Sequence, residues 1–175
     1  ISVCLVGSEM CIRDRCIITP LKNNKKSHIN KVKNLWKSLG SNVEIMSPQR
    51  HDRVMAITSH LPHLIAYNIV STAADLESVT KSDIIKYSAS GFRDFTRIAS
   101  SDPTMWRDIF LNNKEAVLEM ISRFTEDLSA LQKSIRWEDG KSLHKLFSKT
   151  RKVRDKIISA GQDTVDADFG RSKKR

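Results

Sequence analysis

The chain has 175 residues, enough for one domain or for one domain and a fragment. Hydrophobic residues make up 39% and charged residues 29%, which excludes disorder by composition, and six Gly and four Pro are too few for a turn-dense β-sandwich. No apolar run approaches the roughly 20 residues of a membrane helix, and the net charge of +10 is mostly a tail property, because Lys141 to Arg175 holds eleven Lys/Arg against four Asp.

At the start, Leu5 to Arg15 (LVGSEMCIRDR) resembles the read-through translation of a transposase-type sequencing-library adapter, in one frame over eleven successive residues. On that reading residues 1–15 are non-native and the natural sequence begins near Cys16. One cysteine then remains. A disulfide framework and a thiol pair for metal are both excluded, and a reducing cytoplasm fits. Cys16 to Thr19 is a short β-prone run stopped by Pro20. Ile29, Val32, Leu35, Trp36 and Leu39 follow at helical spacing, with Ser27 the predicted N-cap and Gly40 the predicted C′ residue. Asn42 to Met46 alternates as a half-buried strand does. Strand, helix, strand over 16–46 reads as the end of an α/β domain.

After Met46 the pattern becomes helical. Ser47-Pro48 is a cap followed by proline at the first helical position, predicting a helix to about Thr58. The next is predicted from about Leu61 to Leu76, a third from about Arg93 to Ala99, and Asp102-Pro103 opens a fourth. Ala116, Val117, Met120, Ile121, Phe124, Leu128 and Leu131 form a long apolar stripe, read as core or dimer seam. A basic helix is predicted from about Glu138. Residues 157–175 are expected to be a disordered basic tail, since Gly161 to Arg175 shows no periodicity.

Four groups of residues could carry chemistry. His60 and His63, in Ser59-His60-Leu61-Pro62-His63, sit three apart and so neighbour each other on a helix. A metal would need a third ligand, and no HExxH-type glutamate separates them. Pro62 breaks or kinks the helix there, so the two histidines either cap a helix junction or face a cavity. Arg93 and Arg97, after Gly91, share a helix face and suit bidentate carboxylate binding, while Arg97 could equally pair with Asp94 or Asp102. His51-Asp52 lies on the first helix of this region, where Asp52 could pair with an arginine. Trp106 is most simply core. No GxGxxG, P-loop, GxSxG or CxxC occurs, so catalysis would need groups that this chain does not contain.

Taken together, TP near the start, SPQRHDRVMAITSHLPH, GFRDFTRIASSDPTMWRDIFLNNKE and the trailing helices resemble the prephenate/arogenate dehydrogenase family, from about Ile17 to about Ile135. The resemblance implies an N-terminal Rossmann domain, then an all-helical domain that makes a homodimer, with the active site between them. It implies oxidative decarboxylation of prephenate or arogenate with NAD or NADP. Matched position by position, Arg97 holds a substrate carboxylate and His63 lines the pocket, with Ser59 and His60 beside it. Asp52 pairs with the substrate arginine at the pocket entrance, and Trp106 is pocket-adjacent. The glycine-rich loop and the catalytic histidine belong to the missing Rossmann part, so no catalytic residue is expected here. Ser88-Ala89-Ser90-Gly91 replaces a glycine run and reshapes the pocket wall.

The expected fold is therefore mainly α: an all-helical dimerisation and substrate-binding domain over 47–156, preceded by a residual strand–helix–strand at 16–46. The chain reads as an inactive fragment of a cytoplasmic enzyme. A basic helical nucleic-acid-binding module is the alternative, but the basic residues sit outside the motif-bearing core.

Overall fold

The computed structural model describes residues 15–81, 83 and 86–159. Of residues 1–15, read as adapter sequence, all but Arg15 fall outside them; of the tail expected over 157–175, residues 160–175 fall outside them, while 157–159 are helical. The chain is mainly α with one two-stranded parallel sheet.

Strand β1 (Arg15–Ile18) pairs in parallel with β2 (Asn42–Ile45), Cys16 opposite Val43 and Ile17 opposite Glu44. Parallel neighbours need a crossover, and helix α1 (Lys26–Ser38) supplies it. Its C-terminus closes as the glycine predicts. Gly40 takes φ 93°, its N–H donates to Lys37 O at 3.0 Å, and the Ser41 N–H donates to Trp36 O at 3.1 Å. That double closure is a Schellman motif. The N-terminus departs from expectation. Lys25, not Ser27, is the N-cap, without a side-chain cap bond. A turn in which the Leu21 N–H donates to Asn24 Oδ1 at 2.7 Å delivers the chain to the helix two residues earlier.

Helix α2 (Pro48–Met55) begins where the Ser-Pro signal puts it, with Ser47 Oγ accepting from the Arg50 N–H at 3.2 Å. A π turn (Ala56–His60) joins it to α3 (Leu61–Thr80), four residues longer than the spacing predicts. Next comes α4 (Ser90–Thr96), which tightens into a 3₁₀ turn (Arg97–Ser100) rather than continuing as α-helix to Ala99. The serine hydroxyls explain the change: Ser100 and Ser101 donate to the carbonyls of Arg97 and Ile98, each at 2.8 Å, in competition with the helix ladder. Asp102 then caps α5 (Pro103–Asn112), accepting from the Met105 N–H at 2.7 Å.

The chain divides into two compact units, one ending at Ile121 and one starting at Ser122. In the first, the core is Ala56, Leu61, Ala66, Trp106 and Val117. Helix α3 packs on α4 and on the 3₁₀ turn, and the Tyr67 hydroxyl donates to Ser101 O at 2.7 Å. Helix α6 (Lys114–Arg136) carries the predicted apolar stripe into the second unit. There, Asp139 caps α7 (Gly140–Ser159), accepting from the Ser142 N–H at 3.0 Å, and this bond holds its carboxyl below the usual range. α7 thus starts two residues after Glu138 and stays helical three residues beyond Lys156. Leu128, Ile135, Phe147 and Val153 remain exposed on these helices. No helix among the described residues is long and apolar enough to cross a membrane.

Candidate functional site

The π turn organises the site. Pro62 lacks an N–H, and its ring crowds the carbonyl four residues back, that of Thr58, so a regular α turn is disfavoured there. The chain inserts one extra residue instead, and the Leu61 N–H reaches back five residues to Ala56 O. Buried Ala56 and Ala66 have no bulk to hold the neighbouring backbone away. Ser59, His60 and His63 are each half-buried around this irregularity.

His63 Nδ1 lies 2.9 Å from the Ser59 carbonyl. A carbonyl only accepts, so Nδ1 carries the proton and a neutral His63 keeps its lone pair on Nε2. The ring is stacked on Trp106 from α5, centroids 3.7 Å apart and 23° from parallel. Trp106 also meets the edge of His60 at 6.1 Å and a tilted Phe110 at 5.5 Å. Ser59, His60, His63 and Trp106 are therefore one cluster. Among the described residues the Trp106 indole N–H is buried without an acceptor.

Asn113, at the bend between α5 and α6, ties this cluster to α2. Its Nδ2 donates to the Asp52 carbonyl at 2.9 Å and stands 3.2 Å from His60 Nδ1. Burial first, and then the nearby His51, hold the His60 pKa below its ordinary value; Asp52 pulls the other way and His63 adds to the lowering. His60 is thus neutral at pH 7. Asp52 and Asn113 also border an open cleft of about 780 Å³ that Lys114 and Glu119 help to line.

The pairing of Asp52 with Arg97 is not made. The Asp52 carboxylate lies 3.0 Å from Nδ1 of His51, its neighbour in the same helix. Arg97 is exposed on the 3₁₀ turn, an element that packs against α3. Among the described residues it forms no ion pair with Asp102. Arg93 is exposed as well. No group of three or more His, Cys, Asp or Glu among the described residues could hold a metal. Asn113 and Tyr67 were not expected from sequence, although Asn112-Asn113 at a helix end is a recognisable C-terminal signal.

Residues 47–149 match the family model described as prephenate dehydrogenase, dimerization domain. The chain is 38% identical to the cyclohexadienyl dehydrogenase of Zymomonas mobilis over 138 residues, 79% of this chain and 47% of that protein. It is 34% identical to the prephenate dehydrogenase of Bacillus subtilis over 139 residues, 79% of this chain and 37% of that one. Among solved structures it superposes on the prephenate dehydrogenase of Aquifex aeolicus in complex with hydroxyphenyl propionate and NAD+. There the TM-score is 0.77 at 41% identity, covering 82% of this chain and 50% of that one. The chain thus spans half the length of these relatives or less.

Proposed function

We propose a function from one premise: this chain belongs to the prephenate dehydrogenase dimerization-domain family, by its match over residues 47–149. It is the helical, substrate-binding half of an NAD(P)-dependent prephenate or arogenate dehydrogenase of tyrosine biosynthesis, and it works as a homodimer. Residues 16–46 are the last elements of the nucleotide-binding domain. A cytoplasmic place for the enzyme fits Cys16, which is free.

The reaction removes a hydride from the ring carbon that bears the hydroxyl; carbon dioxide departs, the electron pair it leaves behind makes the ring aromatic, and the product keeps the hydroxyl as a phenol. Oxidised nicotinamide, when bound, supplies the hydride acceptor. The described residues include no glycine-rich phosphate-binding turn and do not fit that group; their work is on the substrate. Arg97 offers a planar fork for a carboxylate. Ser59 and the His63 lone pair offer a hydroxyl and an acceptor to the ring end, while Trp106 keeps His63 from turning. The aromatic faces of Trp106 and Phe110 exclude water beside them.

The observation that carries this reading is the Ser59–His63–Trp106 cluster: two segments more than forty residues apart, each matched to a family motif, meet at one point. The test restores the upstream reading frame and assays substrate-dependent NAD(P)H formation. Turnover with prephenate or arogenate, abolished in the 175-residue chain alone, is the expected result. A restored protein that binds neither substrate nor dinucleotide would sink it.

A further inference from the structure

We infer that Asn113 is a positioning residue that fixes His60 in its Nε2–H tautomer and holds the π turn, and thereby sets where Ser59 and His63 stand. The inference rests on reading that cluster as the substrate site. Three segments meet at one amide: the Asp52 carbonyl at the end of α2, His60 in the π turn, and Asn113 at the α5–α6 bend.

The orientation of the Asn113 amide follows from chemistry. Asp52 O is a backbone carbonyl and can only accept, so the amide atom 2.9 Å from it is the NH₂ group. A flipped amide would set two oxygens against each other. That nitrogen has a second hydrogen, and His60 Nδ1 lies 3.2 Å from it. Two donors cannot share one hydrogen bond, so His60 Nδ1 must present its lone pair and the ring proton belongs on Nε2. His63 is the reverse, with Nδ1 protonated against Ser59 O at 2.9 Å. The two rings of the cluster thus carry opposite polarity, one offering an Nε2–H donor and the other an Nε2 acceptor.

The same amide compensates the backbone. The Ala56 N–H is shared between the carbonyls of Arg53 and Asp52, three and four residues back. The Asp52 carbonyl is therefore only partly satisfied by its own helix, and Asn113 supplies the remainder. His60 in turn presents its ring edge-on to Trp106 and Phe110, at 6.1 and 6.5 Å, and Trp106 carries the stacked His63. A change at Asn113 reaches His63 through these contacts without touching a substrate.

The experiment reads ring nitrogens directly. A long-range proton–nitrogen correlation spectrum of the ¹⁵N-labelled 175-residue chain at pH 7.5 distinguishes a protonated from an unprotonated Nδ1. His60 of the unaltered chain is expected to show an unprotonated Nδ1. N113D replaces the donor by an acceptor and is expected to protonate Nδ1; N113A removes the donor without adding charge and is expected to leave a mixture. N112D, one residue away, where the native amide donates to Asp108 O at 2.8 Å rather than to His60, adds the same charge and should change nothing at His60. If N113D does not fold, N113A decides. A protonated Nδ1 in the unaltered chain, or an unchanged His60 in a folded N113A, overturns the proposal. In the restored full-length enzyme N113A should raise KM roughly tenfold, within the hundredfold that misplacing a positioned group can cost, with kcat falling less. If the His60 tautomer changes and KM does not, the clamp stands and the substrate site proposed above is wrong.

Discussion

His63 lies flat on Trp106, their ring centroids 3.7 Å apart and their planes 23° from parallel. The contact joins the start of α3 to the middle of α5, and it makes one side chain serve two ends. Trp106 is only 6% exposed and belongs to the core, while His63 beside it is half-buried and, on the function proposed above, faces the substrate. Core and site are not separable here.

Removing that shared side chain should therefore cost stability and function together. Truncating a buried aromatic costs about 3–5 kcal/mol, so Trp106→Ala should lower the denaturant midpoint steeply at unchanged cooperativity. Trp106→Phe should cost less, and it also removes the one buried indole N–H that has no acceptor among the described residues. A Trp106→Ala chain as stable as its parent would mean that the stacking seen here is incidental.

Arg97 is expected to behave oppositely. Its side chain is exposed, so little packing is lost with it. Arg97→Ala in the restored enzyme should leave the melting temperature unchanged. Each charge-assisted hydrogen bond is worth about 1.5–3 kcal/mol, so KM should rise by roughly one to three decades. Lysine should recover only part of the loss, lacking the fork. An unchanged KM would move the carboxylate site elsewhere, first to Arg93.

The depressed His60 pKa makes a statement about acid stability. Its cause is burial first and the neighbouring His51 second. A histidine harder to protonate in the folded state than its ordinary value of about 6.5 lets the unfolded chain bind the extra proton first. Stability is then complete above about pH 6.5 and falls as pH drops through and below it. Melting temperature followed from pH 7.5 to 5 should decline, and the decline should be shallower in His60→Gln. Equal slopes in the two chains would remove His60 as the source.

Association is the fourth expectation. Leu128 and Phe147 are 47% and 57% exposed, and Ile135 and Val153 are exposed beside them in sequence on the same two helices. Apolar surface of this kind marks an interface. Leu128→Asp with Phe147→Asp should convert a sedimenting dimer to monomer at micromolar concentration while α-helical circular dichroism persists. A monomeric parent chain would refute the seam.

The parts of the fold legible in sequence are those settled within a few residues. Ser47, Asp102 and Gly40 announce helix ends because a side-chain oxygen or a left-handed φ acts on the adjacent turn. Ser27 misled because a cap-competent side chain is not sufficient; the Leu21–Asn24 turn decided where α1 begins. In sequence the π turn shows only as Pro62, a residue that breaks or kinks a helix. Its geometry depends on Asn113, more than fifty positions later than His60 and Asp52. The meeting of His63 with Trp106 is tertiary in the same sense. Motif resemblance named both residues, but no periodicity joins positions on separate helices.

A π turn is also a matter of phase. One residue added to a helix rotates everything after it by about 100° about the axis, so α2 and α3 run on without sharing a common stripe. Deleting a single residue between Ala56 and His60 would remove the π turn and leave Pro62 to kink the helix instead. It would also swing His51 and Asp52 around the axis relative to His63, and the apolar positions of α2 would leave the face that α3 buries. An insertion of one residue is reversible only if the whole surface downstream is rewritten with it. The irregular turn is thus held in place by every residue on α3 that has since been fitted to its offset.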